Sequence, residues 1–345
     1  MTLTLTDITD QVPERHYTHH PDRGETPHRT NPIYVHRELE TARVEPGMNV
    51  LEVGTGSGYS GALLSALVGT DGTVTSVDID PYLTQWANHI HARRGLGNIR
   101  CHAADGTVGF PARAPYDRLL GWCSPPLLPT AWVEQVAERG RIVATLPIGP
   151  VPNLAIGAVI TVTAGQPHVE RLFPGAYIET GAAPRHNFDV PARWADWERR
   201  VPAPAWVSIA WRAEDDWRHN GARTVLDRLL QPGHTEPYAG PDIAWGSWRT
   251  WAAATGDSRL TMTELTLDTL GLGHSTPTSA AVLQTDGTIL ADAPDSPSLT
   301  TLRTWITAWE KAGRPAPDTY TPTLVPADHG QGVTGWDLRL SPPGA

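Results

Sequence analysis

Val50-Leu51-Glu52-Val53-Gly54-Thr55-Gly56-Ser57-Gly58-Tyr59 reads as a buried strand that runs straight into a glycine-rich turn and then a helix. The apolar, β-branched run ending at Val53 suits a central parallel strand. Glycines 54, 56 and 58 remove side chains where the backbone must turn sharply and approach a ligand. Ala62, Leu63, Leu64, Ala66 and Leu67 continue as a helix buried on the sheet. The stretch is a ligand cradle, and the chain on either side is built around it.

Upstream, Thr30-Asn31-Pro32 marks a helix start. Asn31 is a good N-cap and Pro32 suits the first helical position. Pro46-Gly47 ends that helix. Downstream, residues 73–78 form a second strand ending in Asp78, and Pro81 opens a helix. Residues 98–102 form a third strand, closed by Asp105-Gly106. Strands at 116–120 and 141–146 follow, with a helix near 131–138 between them. Strands alternating with helices predict an α/β fold with a doubly wound, Rossmann-like parallel sheet. Residues 154–163 and 169–178, split by Ala164-Gly165-Gln166-Pro167, predict an antiparallel hairpin at the sheet edge.

The texture changes near residue 183. Eleven of the chain's 14 tryptophans lie beyond it, at 194, 197, 206, 211, 217, 245, 248, 251, 305, 309 and 336. A hairpin at 280–290, a helix at 298–311 and two closing strands at 319–325 and 336–340 predict a second, smaller α+β domain over 186–345. The first domain then spans 1–185. Dense tryptophan builds a core, or a surface that grips peptides.

The bulk numbers exclude several classes. At 345 residues two domains are the natural expectation, and 40% hydrophobic residues suffice for proper cores. A net charge of -10 argues against a nucleic-acid surface, which needs a basic face. Cys101 and Cys123 lack metal or redox spacing, so two free thiols in a reducing, cytoplasmic setting are expected. No apolar run approaches a membrane span of roughly 20 residues. The start of the chain lacks the basic end and apolar stretch of a signal peptide. Histidines 16, 19, 20 and 28 cluster in a polar arm over 1–29, but no cysteine or spaced carboxylate joins them. A substrate-side arm with no metal is expected.

Gly56-Ser57-Gly58-Tyr59-Ser60-Gly61 fits GxGxxG, and alone it would also fit a dinucleotide. Three acids shift the reading to S-adenosylmethionine. Glu52, just before the glycines, can meet the ammonium of a methionine group. Asp78 can accept both ribose hydroxyls, with Ile79 beside it. Asp105, next to Gly106, can accept from an adenine amino group. Acids at successive strand ends line the ligand edge of such sheets. The cofactor-binding set is therefore Glu52, Gly54, Thr55, Gly56, Ser57, Gly58, Tyr59, Asp78, Ile79, Asp105 and Gly106.

Val50-Leu51-Glu52-Val53-Gly54-Thr55-Gly56-Ser57-Gly58-Tyr59, Asp105-Gly106-Thr107-Val108-Gly109-Phe110 and Ala114-Pro115-Tyr116-Asp117-Arg118 closely resemble protein-L-isoaspartate O-methyltransferases. Pro125-Pro126-Leu127-Leu128-Pro129 and Gly140-Arg141-Ile142-Val143 continue the resemblance, which covers residues 30–180. It implies a class I methyltransferase fold, S-adenosylmethionine as methyl donor and S-adenosylhomocysteine as product. The family's Ser-x-Pro segment falls on Thr30-Asn31-Pro32. By resemblance Thr30 takes the place of the active-site serine, with Asn31 and Pro32 beside it, and Trp122-Cys123-Ser124 walls the substrate pocket. A His, Lys or Arg near the mouth would neutralise charge, without the sequence saying which.

The longer architecture resembles methyltransferases that accompany ribosomally made, modified peptides, above all the graspetide systems with their ATP-grasp ligases. Leu154–Val162, Gly246-Ser247-Trp248 and Trp309-Glu310-Lys311-Ala312-Gly313-Arg314-Pro315 carry that likeness. It implies a cyclised precursor peptide as partner, an Asp carboxylate as acceptor, and aspartimide, then isoaspartate, as products. The alternatives are general isoaspartyl repair, a non-catalytic cofactor-binding escort, and a tRNA methyltransferase that the acidic charge disfavours. Nothing in the sequence fixes an oligomeric state.

Overall fold

A computed structural model describes residues 5–21, 24–26, 30–185, 190–191, 193–216, 218, 220–330 and 332–343. His28 and Trp217 lie outside the described residues.

The first unit alternates as expected. Helix α1 (Pro32–Ala42) precedes strand β1 (Asn49–Val53), helix α2 (Tyr59–Val68), strand β2 (Thr73–Asp78), helix α3 (Pro81–Arg93) and strand β3 (Ile99–Ala103). Strand β4 (Tyr116–Gly121), helix α4 (Thr130–Gln135), strand β5 (Val136–Pro147), and the edge strands β6 (Ala155–Thr163) and β7 (Gln166–Phe173) complete it. The sheet order is β7-β6-β5-β4-β1-β2-β3. Strands β1 to β5 run parallel, and β6 and β7 are antiparallel additions. This is the doubly wound sheet with an edge hairpin that the class I methyltransferase reading implies.

The apolar run in β1 has a simple cause. Val50 faces one core with Leu63 and Leu64, while Leu51 and Val53 face the other with Trp132 and Ile142. Both sheet faces are covered, so no polar alternation is tolerated except at Glu52. The order reverses between β1 and β4, which puts the ligand crevice over their carboxyl ends. Strand β5 starts earlier than expected, at Val136, and α4 is shorter. Tyr116 pairs with Val136, the register then shifts, and Arg139 adopts a φ of 62°. A β-bulge thus replaces the last helical turn.

The second unit is a seven-stranded antiparallel sheet. Its strands are β8 (Trp197–Arg199), β9 (Ala205–Ile209), β10 (His234–Pro237), β11 (Leu260–Thr266), β12 (Thr269–Ser275), β13 (Ala280–Gln284) and β14 (Thr288–Ala291). They are ordered β8-β9-β11-β12-β13-β14-β10. Helices α5 (Gly221–Leu230), α6 (Trp245–Ala254) and α7 (Pro297–Lys311) pack on it. The tryptophans explain this unit's core. Trp206, Trp248 and Trp309 are fully buried, and Trp211 and Trp305 nearly so. At these five positions core packing takes the place of a peptide-gripping surface.

The final hairpin, β15 (Thr321–Asp328) and β16 (Thr334–Ser341), departs from the 186–345 expectation. It pairs with the short strand Leu128–Pro129 of the first unit, and Tyr320 and Leu338 enter that unit's core. In return, Val151 and Leu154 from the β5–β6 connection enter the tryptophan-rich core. Each unit thus contributes apolar side chains to the other. Among the described residues, no helix is long and apolar enough to cross a membrane.

Ser296 caps α7. Its Oγ accepts from the Leu299 amide at 3.4 Å and donates to Asp292 at 2.6 Å. Ser296→Ala should cost about 1 kcal/mol, the usual value of an N-cap. A urea midpoint unchanged from wild type would show that α7 does not depend on this cap.

Candidate active site

The glycine turn is fastened to the end of β2. The amides of Gly54 and Thr55 both donate to the Val77 carbonyl, at 2.7 and 3.2 Å. A Cβ on Gly54 would sit 3.2 Å from Trp122 Cβ, and the φ there is +97°. Gly56 has a φ of +50° and open space where a Cβ would point. Its amide donates to Asp78 Oδ2 at 2.9 Å. The turn therefore presents bare backbone to a cavity of about 450 Å³ at the carboxyl ends of β1 and β4.

Most of the expected cofactor residues line this cavity. Gly54, Thr55, Gly56, Ser57 and Tyr59 do so from the turn. Asp78 and Ile79 do so from the end of β2, and Asp105 and Gly106 from beyond β3. Asp78 Oδ1 also accepts from the Asp80 amide at 3.0 Å. Burial pushes the Asp78 carboxyl above its ordinary value, against the pull of these amides. Asp105 Oδ1 accepts from the amide and hydroxyl of Thr107, at 2.8 and 2.7 Å.

Two cofactor residues do not face the cavity. Glu52 is 0% exposed. It points between the sheet and α2, because alternate residues of a strand face opposite ways and the open edge begins at Val53. Its Oε1 accepts from Ser60 Oγ at 2.5 Å and Trp122 Nε1 at 2.9 Å, and its Oε2 from Ser76 Oγ at 2.6 Å. Ser76 thus spends its proton on Glu52, so Thr55 Oγ1, at 2.7 Å, is the donor to Ser76. Glu52 braces the turn from behind and is not a direct ammonium ligand here. Burial pushes its carboxyl up to about 7. Gly58 likewise serves packing: at φ +84° it starts α2, and a Cβ would lie 2.8 Å from that of Ala87.

The acceptor side divides similarly. Thr30 lines the cavity. Asn31 does not: its Oδ1 accepts from the Ile33 amide at 3.0 Å and caps α1, with Pro32 opening the helix. Trp122 and Cys123 wall the cavity, but Ser124 is turned away. Ser124 is buried, and its Oγ hydrogen-bonds with Thr145 Oγ1 at 2.5 Å. Alternation along the extended chain after β4 separates it from Cys123.

Two further elements wall the cavity, and only the second was not legible in the sequence. The first is the N-terminal arm, expected on the substrate side, which supplies Glu14, Thr18, His20 and Glu25. Buried Tyr17 anchors the arm, since its carbonyl accepts from Trp86 Nε1 at 3.1 Å. His20 stacks on Trp86 with ring centroids 4.1 Å apart, and its Nδ1 is 2.9 Å from Tyr82 Oη. The second wall is a strap over 178–185. Thr180 donates from its amide to the Ser124 carbonyl at 2.9 Å, and Ser124 to that of Ile178 at 2.8 Å. Arg193 holds the strap from outside, giving its amide to Glu179 Oε2 at 2.9 Å and its guanidinium to the Ser124 carbonyl at 3.0 Å. Tyr177, just before the strap, packs edge-on against Trp122 with ring centroids 5.9 Å apart.

The arrangement offers backbone and carboxylates for a polar cofactor, and a hydroxyl with an aromatic wall for an acceptor. Several known proteins resemble this chain. A sequence profile described as protein-L-isoaspartate(D-aspartate) O-methyltransferase matches residues 8–177. A protein-L-isoaspartate O-methyltransferase of Pyrococcus abyssi is 42% identical over 111 residues, which cover 32% of this chain and 50% of that one. The Gloeobacter violaceus protein of the same name is 32% identical over 149 residues, covering 43% of this chain and 70% of its own length. A Plasmodium falciparum beta-aspartate methyltransferase solved in complex with S-adenosyl-L-homocysteine shares 17% identity over 51% of this chain and 88% of that chain, with a TM-score of 0.43. The chain spans about half the length of most of the curated relatives it matches. With the profile spanning the glycine turn and the Gloeobacter relative covered over 70% of its length at 32% identity, the chain belongs to the protein-L-isoaspartate(D-aspartate) O-methyltransferase family.

Proposed function

We propose that this chain is an S-adenosylmethionine-dependent O-methyltransferase that acts on the free carboxylate of isoaspartyl residues in peptides. The observation that carries this reading is that one cavity holds both the bare turn with its strand-end acids and Thr30. The residues fit the cofactor. The cavity is of ligand size, the Cβ position of Gly56 is open, and Asp78 and Asp105 offer acceptors for hydroxyl and amino groups.

When bound, the cofactor supplies an electrophilic methyl group on a positively charged sulfur. The protein's own task is then positional. A carboxylate with a pKa near ~4 is already ionised at neutral pH, so no general base is needed. Thr30 donates a hydrogen bond that orients the acceptor oxygen, and holding the reacting atoms in line supplies most of the acceleration. Trp122 and Cys123 keep water out. Burial pushes the Cys123 thiol up to about 12, so it stays a neutral wall and does not compete as a thiolate for the methyl group.

Thr30→Val should lower kcat/KM about tenfold, the low end for a hydrogen bond to a charged group. Cofactor affinity should stay unchanged, and Thr30→Ser should retain activity. Equal kcat/KM for the Val variant would remove Thr30 from the site. The function itself is tested by incubating the chain with S-adenosylmethionine and a short isoaspartyl peptide. The expected product is heavier by one methylene unit. An unmodified peptide under cofactor saturation would refute the reading.

A second reading is favoured by one observation. Residues beyond 177, outside the segment matched by the family, supply the strap and the tryptophan-cored unit. They support a dedicated partner, a cyclised graspetide-type precursor methylated on Asp and closed to an aspartimide. That reading requires loss of water from such a precursor and little turnover of unrelated isoaspartyl peptides. The free thiols of Cys101 and Cys123 support a cytoplasmic setting under either reading.

A further inference from the structure

We infer that Arg185 is the acceptor-carboxylate ligand of this cavity, a specificity residue supplied from outside the family-matched segment. The inference rests on the methyl-transfer reading above for the identity of its ligand.

The cavity is strongly acidic. Glu14, Glu25, Asp78, Asp80, Asp105 and Glu179 all line it. Carboxylates thus line the cavity from the arm, the strand ends and the strap, and an anionic acceptor meets like charge there. Among the described residues that line it, Arg185 carries the sole Lys or Arg side chain. Its position is built. The strap that bears it is pinned at Ser124 and Arg193, and the Arg185 guanidinium itself donates to the Val190 carbonyl. Its stem passes beside Gly181, where an added Cβ would come 3.7 Å from Arg185 Cδ. A planar guanidinium suits bidentate contact with a carboxylate.

The charge change on methylation decides what such a contact does. The acceptor enters as an anion and leaves as a neutral ester. A cation beside it therefore stabilises the bound substrate more than the product, and it favours release of the ester. It does not aid the chemical step, because the carboxylate loses charge as the new bond forms. Arg185 should thus act chiefly on KM, with kcat unchanged or slightly raised in its absence.

The test uses the full-length chain and a C-terminally amidated isoaspartyl peptide with no other acid. Arg185→Gln should raise KM about tenfold, with kcat changed less than twofold and the dissociation constant for S-adenosylhomocysteine unchanged. Arg185→Lys should recover part of the loss. Cofactor affinity reports that the variant is folded. In parallel, calorimetry with S-adenosylhomocysteine present should show wild type binding the peptide about tenfold more tightly than its isoasparagine amide, a preference that Arg185→Gln erases. If wild type turns the peptide over and Arg185→Gln has an unchanged KM, the inference fails and the methyl-transfer reading stands. If the binding preference is lost in the variant but wild type never transfers a methyl, Arg185 stands and that reading fails. Equal binding of acid and amide by wild type also overturns the inference.

Discussion

Asp78→Ala should weaken S-adenosylmethionine or S-adenosylhomocysteine binding by on the order of 100-fold, the largest effect expected of any single change in the cavity. The loss has two parts. Asp78 is a cavity-lining carboxylate and the natural acceptor for a cofactor's vicinal hydroxyls. It also holds the Gly56 amide at 2.9 Å and the Asp80 amide at 3.0 Å, so its removal frees the glycine turn and the start of α3 together. A hydrogen bond to a charged group is worth roughly 1.5–3 kcal/mol, and two lost at once reach the stated factor. Asp78→Asn should fare little better, because its amide group must face at least one of two backbone donors. Asp105→Ala should cost less, since its Oδ1 is already tied to Thr107 in a local turn. Isothermal calorimetry with S-adenosylhomocysteine reads all three. A dissociation constant for Asp78→Ala within threefold of wild type would mean that the cofactor lies elsewhere in the cavity.

How much of this was legible beforehand follows from how local each determinant is. The strand, glycine turn and helix at 50–68 are encoded by neighbouring residues, and so are Asp78 and Asp105, which sit where their strands end. The cap at Asn31 is equally local. The orientation of Glu52 was not legible. A carboxylate inside an apolar strand reads as a ligand unless its three donors are known, and Ser60, Ser76 and Trp122 come from three other elements. The strap is a tertiary fact with no local pattern. In the second unit, β12 escaped notice because glycine demotes a strand. There Gly271 and Gly273 are required instead, because a Cβ would come within 2.6 Å of Thr263 Oγ1 and 2.1 Å of the Ala281 carbonyl oxygen. Close approach of neighbouring backbone selected the residue that hides the strand.

The buried Glu52 and His91 should give the chain opposing pH dependences that single substitutions separate. Burial lifts the Glu52 carboxyl from 4.5 to about 7. The folded chain then holds that proton more tightly than the unfolded chain, so raising the pH from about 4.5 to about 7 removes stability, by about 3 kcal/mol in full. His91, 1% exposed beside Gly58 and Tyr17, is shifted the other way, from 6.5 down to about 4. The unfolded chain takes up that proton first, so lowering the pH from about 6.5 to about 4 removes a similar amount. Between about 4.5 and 6.5 the two slopes oppose each other at about 1.4 kcal/mol per pH unit each. Glu52→Gln mimics the protonated carboxyl, with serine hydroxyls free to rotate toward its amide. It should match wild type near pH 4.5 and exceed it by about 3 kcal/mol near pH 8. His91→Leu should remove the acid-side loss and leave stability falling as pH rises. Asp78, Glu38 and Asp196 are also pushed up by burial and add to the Glu52 sign, so the informative quantity is the difference between each variant and wild type. Urea midpoints at several pH values between 4.5 and 8 supply it. A Glu52→Gln difference that does not grow with pH would show that Glu52 keeps an ordinary carboxylate behind the turn, stabilised as an anion by its three donors.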